Sequence, residues 1–258
     1  MDDFTGKNGL VVGVANKRSL AWAIAKAIDE AGARLTLSYA NDRFAANARK
    51  LADTLNQPAQ LIPCDVTNED EIDALFKGVE EKHGGLDFVV HAVAFASRTA
   101  ISEPFVQTTR HDFLEALDVS TYSLIALARG AAPLLERRGG GSILTLTYIG
   151  STRVFPHYNV MGVAKAALEA TVRYLASDLG PANTRINAIS AGPIKTLAAS
   201  GIPGFTRILQ HYRERAPLRR TVEGNEIADA ALFLLGPGSR AVTGEVFMVD
   251  AGYHSTGM

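Results

Sequence analysis

The sequence predicts an α/β fold, a doubly wound parallel sheet of about seven strands with helices on both faces. Three observations carry this. Short apolar runs alternate with longer amphipathic stretches along the whole chain. The runs are near-continuously apolar, as strands covered on both faces must be. No linker, internal repeat or low-complexity tract breaks the series, so residues 1–258 are expected to form a single domain.

Gly9–Val14 reads as the first strand and Ser19–Ala31 as its helix. Arg34–Tyr39 is the second strand, with a helix from Asp42 to about Leu55. Gln60–Pro63 is a short third strand before a helix over Glu69–His83. Leu86–His91 is the fourth, followed by a long helical region from Thr109 to Arg138. Ser142–Thr147 is the fifth, and its helix runs through Leu175, carrying Tyr158 and Lys165. Thr184–Ile189, a helix over Glu223–Leu235 and a last strand, Glu245–Val249, complete a Rossmann-like series.

Size and composition narrow the function classes. A chain of 258 residues with 47% hydrophobic and 21% charged residues can bury a large core. A formal net charge of −1 gives no general attraction to nucleic acid or to a membrane surface. The acidic start, Met1-Asp2-Asp3, lacks the apolar stretch of a signal peptide, and no apolar run is long enough to span a bilayer. One cysteine, Cys64, allows no internal disulfide, and the six histidines show no metal-ligand spacing. A cytoplasmic protein without a metal is the expectation.

The turn after the first strand, Gly13 to Ala21, is where a nucleotide would sit. Gly13 lets the backbone approach a pyrophosphate, and Ser19 can cap a helix whose first amides favour an anion. The glycine-rich fingerprint of dinucleotide sites is incomplete, with Ser19 in the third-glycine region. The second strand ends on Tyr39-Ala40-Asn41, without an acid for a ribose 2′-hydroxyl or a basic pair for a 2′-phosphate, so coenzyme choice stays open. Asp65-Val66 can hold an adenine, and an N-cap is the equal alternative for Asp65. His91-Ala92-Val93-Ala94-Phe95-Ala96 leaves room for a ligand at a strand's carboxyl end. His91 itself reads as a packed, hydrogen-bonded histidine rather than a base.

Tyr158 and Lys165 lie seven residues apart. On a helix that spacing puts both side chains on one face, about 10 Å apart along the axis. A phenol and an ammonium flanking a gap suit an oxygen that gains negative charge; a half-buried aromatic beside a solvated lysine is the equal alternative from this stretch alone. Beyond the sixth strand, Gly192-Pro193 makes a turn that lets Ile194 and Thr196 cover a carboxamide. The glycine-punctuated segment from about 195 to 215 is expected to be a lid. It overlaps a stretch, Lys195–Arg220, with six Lys/Arg and one acid, Glu214, which reads as a solvated face or a surface for an acidic partner.

Taken together these residues closely resemble the short-chain dehydrogenase/reductase superfamily and, within it, the bacterial NADH-dependent enoyl-acyl carrier protein reductases. The resemblance rests on Gly13 with Ser19, Asp65-Val66, the His91–Ala96 segment, Tyr148 with Tyr158 and Lys165, Ser190–Ala198, and Gly244-Glu245-Val246. It implies catalytic roles for Tyr158, Lys165 and Tyr148. It implies dinucleotide contacts from Gly13, Ser19, Leu20, Ala40, Asp65, Val66, Val93, Lys165, Ile194, Lys195, Thr196, Leu197 and Ala198. Substrate contacts fall on Ala96, Tyr148, Tyr158, Met161, Ile202 and Phe205.

In the ketone and alcohol branch of that superfamily a tyrosine stands four before the lysine, with a serine about thirteen before the tyrosine. Here Met161 and Thr145 occupy those places, counting from Lys165 and Tyr158. The resemblance therefore implies hydride transfer to C3 of a trans-2-enoyl thioester, with the enolate steadied by Tyr158 and the nicotinamide ribose held by Lys165. It implies NADH, with NADPH left open, acyl carrier protein as the partner, and a homotetramer. Ala40 replaces a glutamine common near the adenine ribose, so that contact is lost or passes to Asn41, and Ala94 replaces a frequent glycine and narrows the pocket. A ketoacyl reductase, or a dinucleotide sensor without turnover, are the alternatives.

Overall fold

The computed structural model describes residues 3–196 and 204–257. Its strands are β1 (Asn8–Val12), β2 (Arg34–Tyr39), β3 (Gln60–Pro63), β4 (Phe88–His91), β5 (Gly141–Thr147), β6 (Thr184–Ala191) and β7 (Val246–Val249). All pair in parallel, in the order β3-β2-β1-β4-β5-β6-β7. The helices are α1 (Leu20–Glu30), α2 (Asp42–Ala52), α3 (Glu69–His83), α4 (Arg98–Ser102), α5 (Arg110–Leu117), α6 (Ser123–Glu136), α7 (Val160–Leu179), α8 (Phe205–Arg215) and α9 (Gly224–Leu235).

The strands are apolar at successive positions because each feeds two cores. Val11, Phe88, Val90, Leu144 and Ile189 pack on one face with Trp22, Ile24 and Ile28 of α1 and with Ile227 and Leu234 of α9. Leu10, Val12, Val89, Ile143 and Ile186 point the other way, onto Leu75 of α3, Leu124 and Leu127 of α6, and Leu168 of α7. With both faces covered, the carboxyl ends of the strands are left for a ligand.

Most expected elements stand within a few residues, and β2, β3 and α3 agree at both ends. The long helical region does not stand as one helix. Between α5 and α6 the chain makes a π-helical turn over Asp118–Tyr122. Hydroxyls of Ser120 and Thr121 in the turn, and of Ser123 at the start of α6, accompany it. Ser120 hydrogen bonds the backbone of Phe95. Thr121 donates to the Ala164 carbonyl of α7 at 2.9 Å, and Ser123 reaches His91 at 2.8 Å. An extra residue in the turn swings these side chains toward the strand ends, a place where such bulges often serve a site.

The order of the strands reverses between β1 and β4, and Gly13 sits at that switch. Its φ is +100°, and its amide continues the sheet by donating to the Ser38 carbonyl. A β carbon there would lie 2.4 Å from the Ala92 carbonyl oxygen. The glycine is thus required by close approach of two chain segments, before any pyrophosphate is considered. Gly13→Ala is expected to cost about 2 kcal/mol or more, read as a lower urea midpoint; an unchanged midpoint would mean that the turn can move away from Ala92.

Candidate active site

The carboxyl end of β5 and the start of α7 bring the candidate residues together. Lys165, on the second turn of α7, is 5% exposed and donates from Nζ to the Leu146 carbonyl at 2.8 Å. Burial lowers its pKa to about 8, while the Glu169 carboxylate one helical turn on opposes that shift. Glu169 is itself buried and accepts from the Thr147 hydroxyl at 2.7 Å. Consecutive residues of β5 therefore hold consecutive turns of α7. An ammonium has three N–H donors, and Leu146 accepts one; the other two have no acceptor among the described residues.

Tyr158 departs from the expected geometry. It does not lie on the helix that carries Lys165: α7 begins at Val160, and Tyr158 occupies a turn before it. The shared-helix-face argument fails for this residue, although Met161 and Lys165 do stand one turn apart on α7. The backbone explains why, because His157 and Asn159 on either side have φ of 62° and 42°. The phenol is half-buried, its ring edge-on to Tyr148 with centroids 5.0 Å apart. Burial and the neighbouring Tyr148 and Glu169 charges raise its pKa, so it is a neutral phenol at physiological pH. Its hydroxyl makes no hydrogen bond to any described residue.

Tyr148 joins the wall to a more distant part of the chain. Its ring packs on Phe155 at 5.1 Å, and its hydroxyl accepts from Tyr212 of α8 at 3.3 Å. Tyr212 is fully buried and stacks on Tyr253 at 3.8 Å. Burial, as the dominant cause, raises the pKa of Tyr148 and of Tyr212. Gly150 makes this packing possible, since a β carbon there would lie 2.5 Å from the Tyr158 ring. Tyr212, Glu169 and Asn159 were not legible as site residues. Tyr212 is 64 positions from Tyr148 in the chain, so no local pattern pairs them.

His91 is the packed histidine that its sequence context suggests. It is 1% exposed, with Nδ1 2.8 Å from the Thr145 hydroxyl and Nε2 2.8 Å from that of Ser123. Ser123 donates its own proton to the Val119 carbonyl, so it accepts from Nε2–H, and Nδ1 accepts from Thr145. Burial and the Lys165 charge push the pKa down to about 3, which excludes a base working near neutrality. Thr145 is thereby committed to His91 inside the sheet. Met161, only 8% exposed, approaches Ser120 with its sulfur.

A family profile described as "Enoyl-(Acyl carrier protein) reductase" matches residues 13–254. The chain belongs to that family. It is 50% identical to the NADH enoyl-[acyl-carrier-protein] reductase of Bacillus cereus over the full length of both chains. It is 45% identical to the NADPH enzyme of Staphylococcus aureus over 99% of each. A crystal structure of the Bacillus cereus reductase with NADP+ and indole naphthyridinone superposes at a TM-score of 0.97 over all of both chains, at 50% identity. One from Anaplasma phagocytophilum with NAD gives 0.94, at 47% identity, over 99% of this chain and 96% of that one. The fold and reaction class expected from the sequence stand: this reductase is a nicotinamide-dependent oxidoreductase.

Apart from Lys165 on α7, the described dinucleotide candidates of this reductase lie at or beyond the carboxyl ends of β1 to β4 and β6. Ser19 caps α1, accepting from the Trp22 amide at 3.2 Å, with Leu20 as its first residue. Asp65 is exposed and is not an N-cap, a place taken by Asn68. One carboxylate oxygen is held by Thr67 at 2.8 and 3.0 Å, and the second is open to an amine. Val66 is buried in the core, so its side chain is no displayed wall; Val93 is half-buried beside Gly13. Ala40 is exposed, and the side-chain oxygen of neighbouring Asn41 caps α2. Ile194 and Thr196 are half-buried and Lys195 exposed at the end of β6. On the substrate side, Ala96 packs beside Ala100 and Val160, and Phe205 is half-buried at the start of α8. Leu197, Ala198 and Ile202 fall outside the described residues.

Tyr212→Phe removes one buried donor and leaves Tyr148 an unanswered hydroxyl. A loss of about 1 kcal/mol is expected, measured by chemical denaturation; a gain in stability would show that the 3.3 Å contact contributes nothing.

Proposed function

We propose that the chain reduces the double bond of a trans-2-enoyl chain carried as a thioester on acyl carrier protein, with NADH as reductant. The uncommitted Tyr158 hydroxyl carries this reading. A protonated phenol, half-buried beside Tyr148 and without a hydrogen-bond partner among the described residues, has one hydrogen bond to give to an oxygen that acquires charge. The residues present fit a dinucleotide: Lys165 keeps two N–H donors for ribose hydroxyls, Ser19 heads an amide-rich helix end, and Asp65 keeps an open oxygen.

When bound, the reduced nicotinamide supplies a hydride to C3 of the enoyl group. The chain's own groups do the rest. Tyr158 donates to the thioester carbonyl oxygen as the enolate forms, and a proton reaches C2 from Tyr158 or from water beside it. Lys165 holds the ribose and places positive charge near the developing anion. Ile194 and Thr196, half-buried beyond the end of β6, cover the carboxamide, while Phe205 and Tyr148 line the path of the acyl chain. The absence of a basic pair at the β2 tip favours NADH. Arg207, Arg213 and Arg215 are exposed along α8 and face an acidic carrier. Phe233 and Phe247, exposed with ring centroids 6.1 Å apart, and the exposed Leu114, Tyr122 and Tyr174 are apolar surface in keeping with a homotetramer. No helix among the described residues is long and apolar enough to cross a membrane, in keeping with a cytoplasmic enzyme.

Crotonyl thioester should drive steady oxidation of NADH, whereas a 3-ketoacyl thioester should not; the reverse result would transfer the chain to the ketone branch. Tyr158→Phe should lower kcat by about 10²–10³-fold, and unchanged turnover would remove the phenol from its role. With every phenol of the site pushed upward, Lys165 is the group that titrates near the working range. Its charged form is held below about 8 and lost above, so kcat/KM should decline as pH rises through about 8. A flat profile from 7 to 9.5 would contradict that assignment.

A further inference from the structure

Asn159 stands at the N-cap of α7, where asparagine ordinarily accepts from a helix amide. It makes no such bond. Its side-chain amide turns away and donates to the Ala100 carbonyl at 3.1 Å and the Glu103 carbonyl at 2.8 Å, at the end of α4. Its backbone, at φ 42° and ψ −123°, lies in a region that residues with a β carbon rarely enter. Glycine would adopt that conformation without strain. The strained backbone and the two donated bonds are separate observations on one residue, and both act on the peptide that leaves Tyr158.

We propose that Asn159 is a positioning residue for Tyr158: its amide, anchored on the Ala100 and Glu103 carbonyls, holds the one backbone conformation that keeps the phenol off α7 and turned into the site. A helical Asn159 would extend α7 backward and carry the Tyr158 ring around the helix. The same amide ties that turn to the segment that leaves β4 through Ala96, so two walls of the site move together. Ala96, Ala100 and Val160 pack at this junction. The inference rests on Tyr158 serving as the oxyanion donor.

A double-mutant cycle tests it, with wild type, Asn159→Gly, Tyr158→Phe and the pair assayed on crotonyl thioester and NADH. Asn159→Gly tolerates the backbone angles but has no amide, so kcat should fall about tenfold with KM for NADH within about twofold. In the Tyr158→Phe background the same change should cost less than about twofold. An equal loss in both backgrounds, or no loss of kcat in the first, would overturn the role. Should the glycine variant fail to fold, Asn159→Asp removes the donors at nearly the same size and runs the same cycle. Turnover by wild type separates the two readings, because its absence sinks the enoyl assignment and this inference with it.

Discussion

A buried ammonium with too few acceptors is the constraint around which the site is arranged. Taking Lys165 out of water is costly, and the Leu146 carbonyl answers one of its three donors. The surroundings adjust to that charge. Glu169, fixed by Thr147, sits one turn away with compensating sign. His91, the other titratable group that feels the charge, is kept neutral by its depressed pKa and its two hydroxyl partners. The phenols of Tyr148 and Tyr158 are pushed toward their protonated form by burial. The result is a buried cation, with two donors unanswered among the described residues, near a phenol that keeps its proton.

The sheet makes such a site possible by leaving it nowhere else to form. Both faces of β1, β4, β5 and β6 are packed, so functional groups collect at the strands' carboxyl ends and in the turns beyond them. At the switch between β1 and β4 the two chain segments come so close that Gly13 must lack a side chain. The π-helical turn then supplies Ser120 and Thr121, and the start of α6 supplies Ser123, as struts from a third direction. Each strut bonds to backbone or to His91, so their work is to hold the floor of the site, with the chemistry left to others.

Where local pattern decides structure, the sequence was readable. Strands buried on both faces are near-continuous apolar runs, and α3 begins and ends where Asn68 and Gly84 say that it should. The packed state of His91 also followed from its sequence context. Local reasoning failed where a contact from far along the chain, or a rare backbone angle, set the outcome. By sequence Asn159 falls within the helix that carries Tyr158 and Lys165, and nothing in propensity reveals that its amide is spent on carbonyls at the end of α4. The break between α5 and α6 depends on hydroxyls whose partners lie in β4 and α7. The contact of the Tyr212 hydroxyl with Tyr148 is tertiary, so no local pattern shows it.

The displacement of Tyr158 from the helix bears on the choice of reaction. A phenol at position 161 would be fixed by α7 itself, one turn from Lys165, and would stand close to any oxygen bonded to the carbon that receives hydride. Met161 fills that place with a buried thioether, which can neither donate to an alkoxide nor ionise. A phenol on the preceding turn reaches an oxygen further along the substrate, as conjugate reduction of an enoyl thioester requires. The cost of leaving the helix is that regular secondary structure no longer orients the ring. Packing must do so instead, and three features supply it: the edge of Tyr148, the missing side chain of Gly150 and the anchored amide of Asn159. With Tyr158 in its proposed role, specificity for the double bond would be a property of how this turn is held as much as of the phenol it carries.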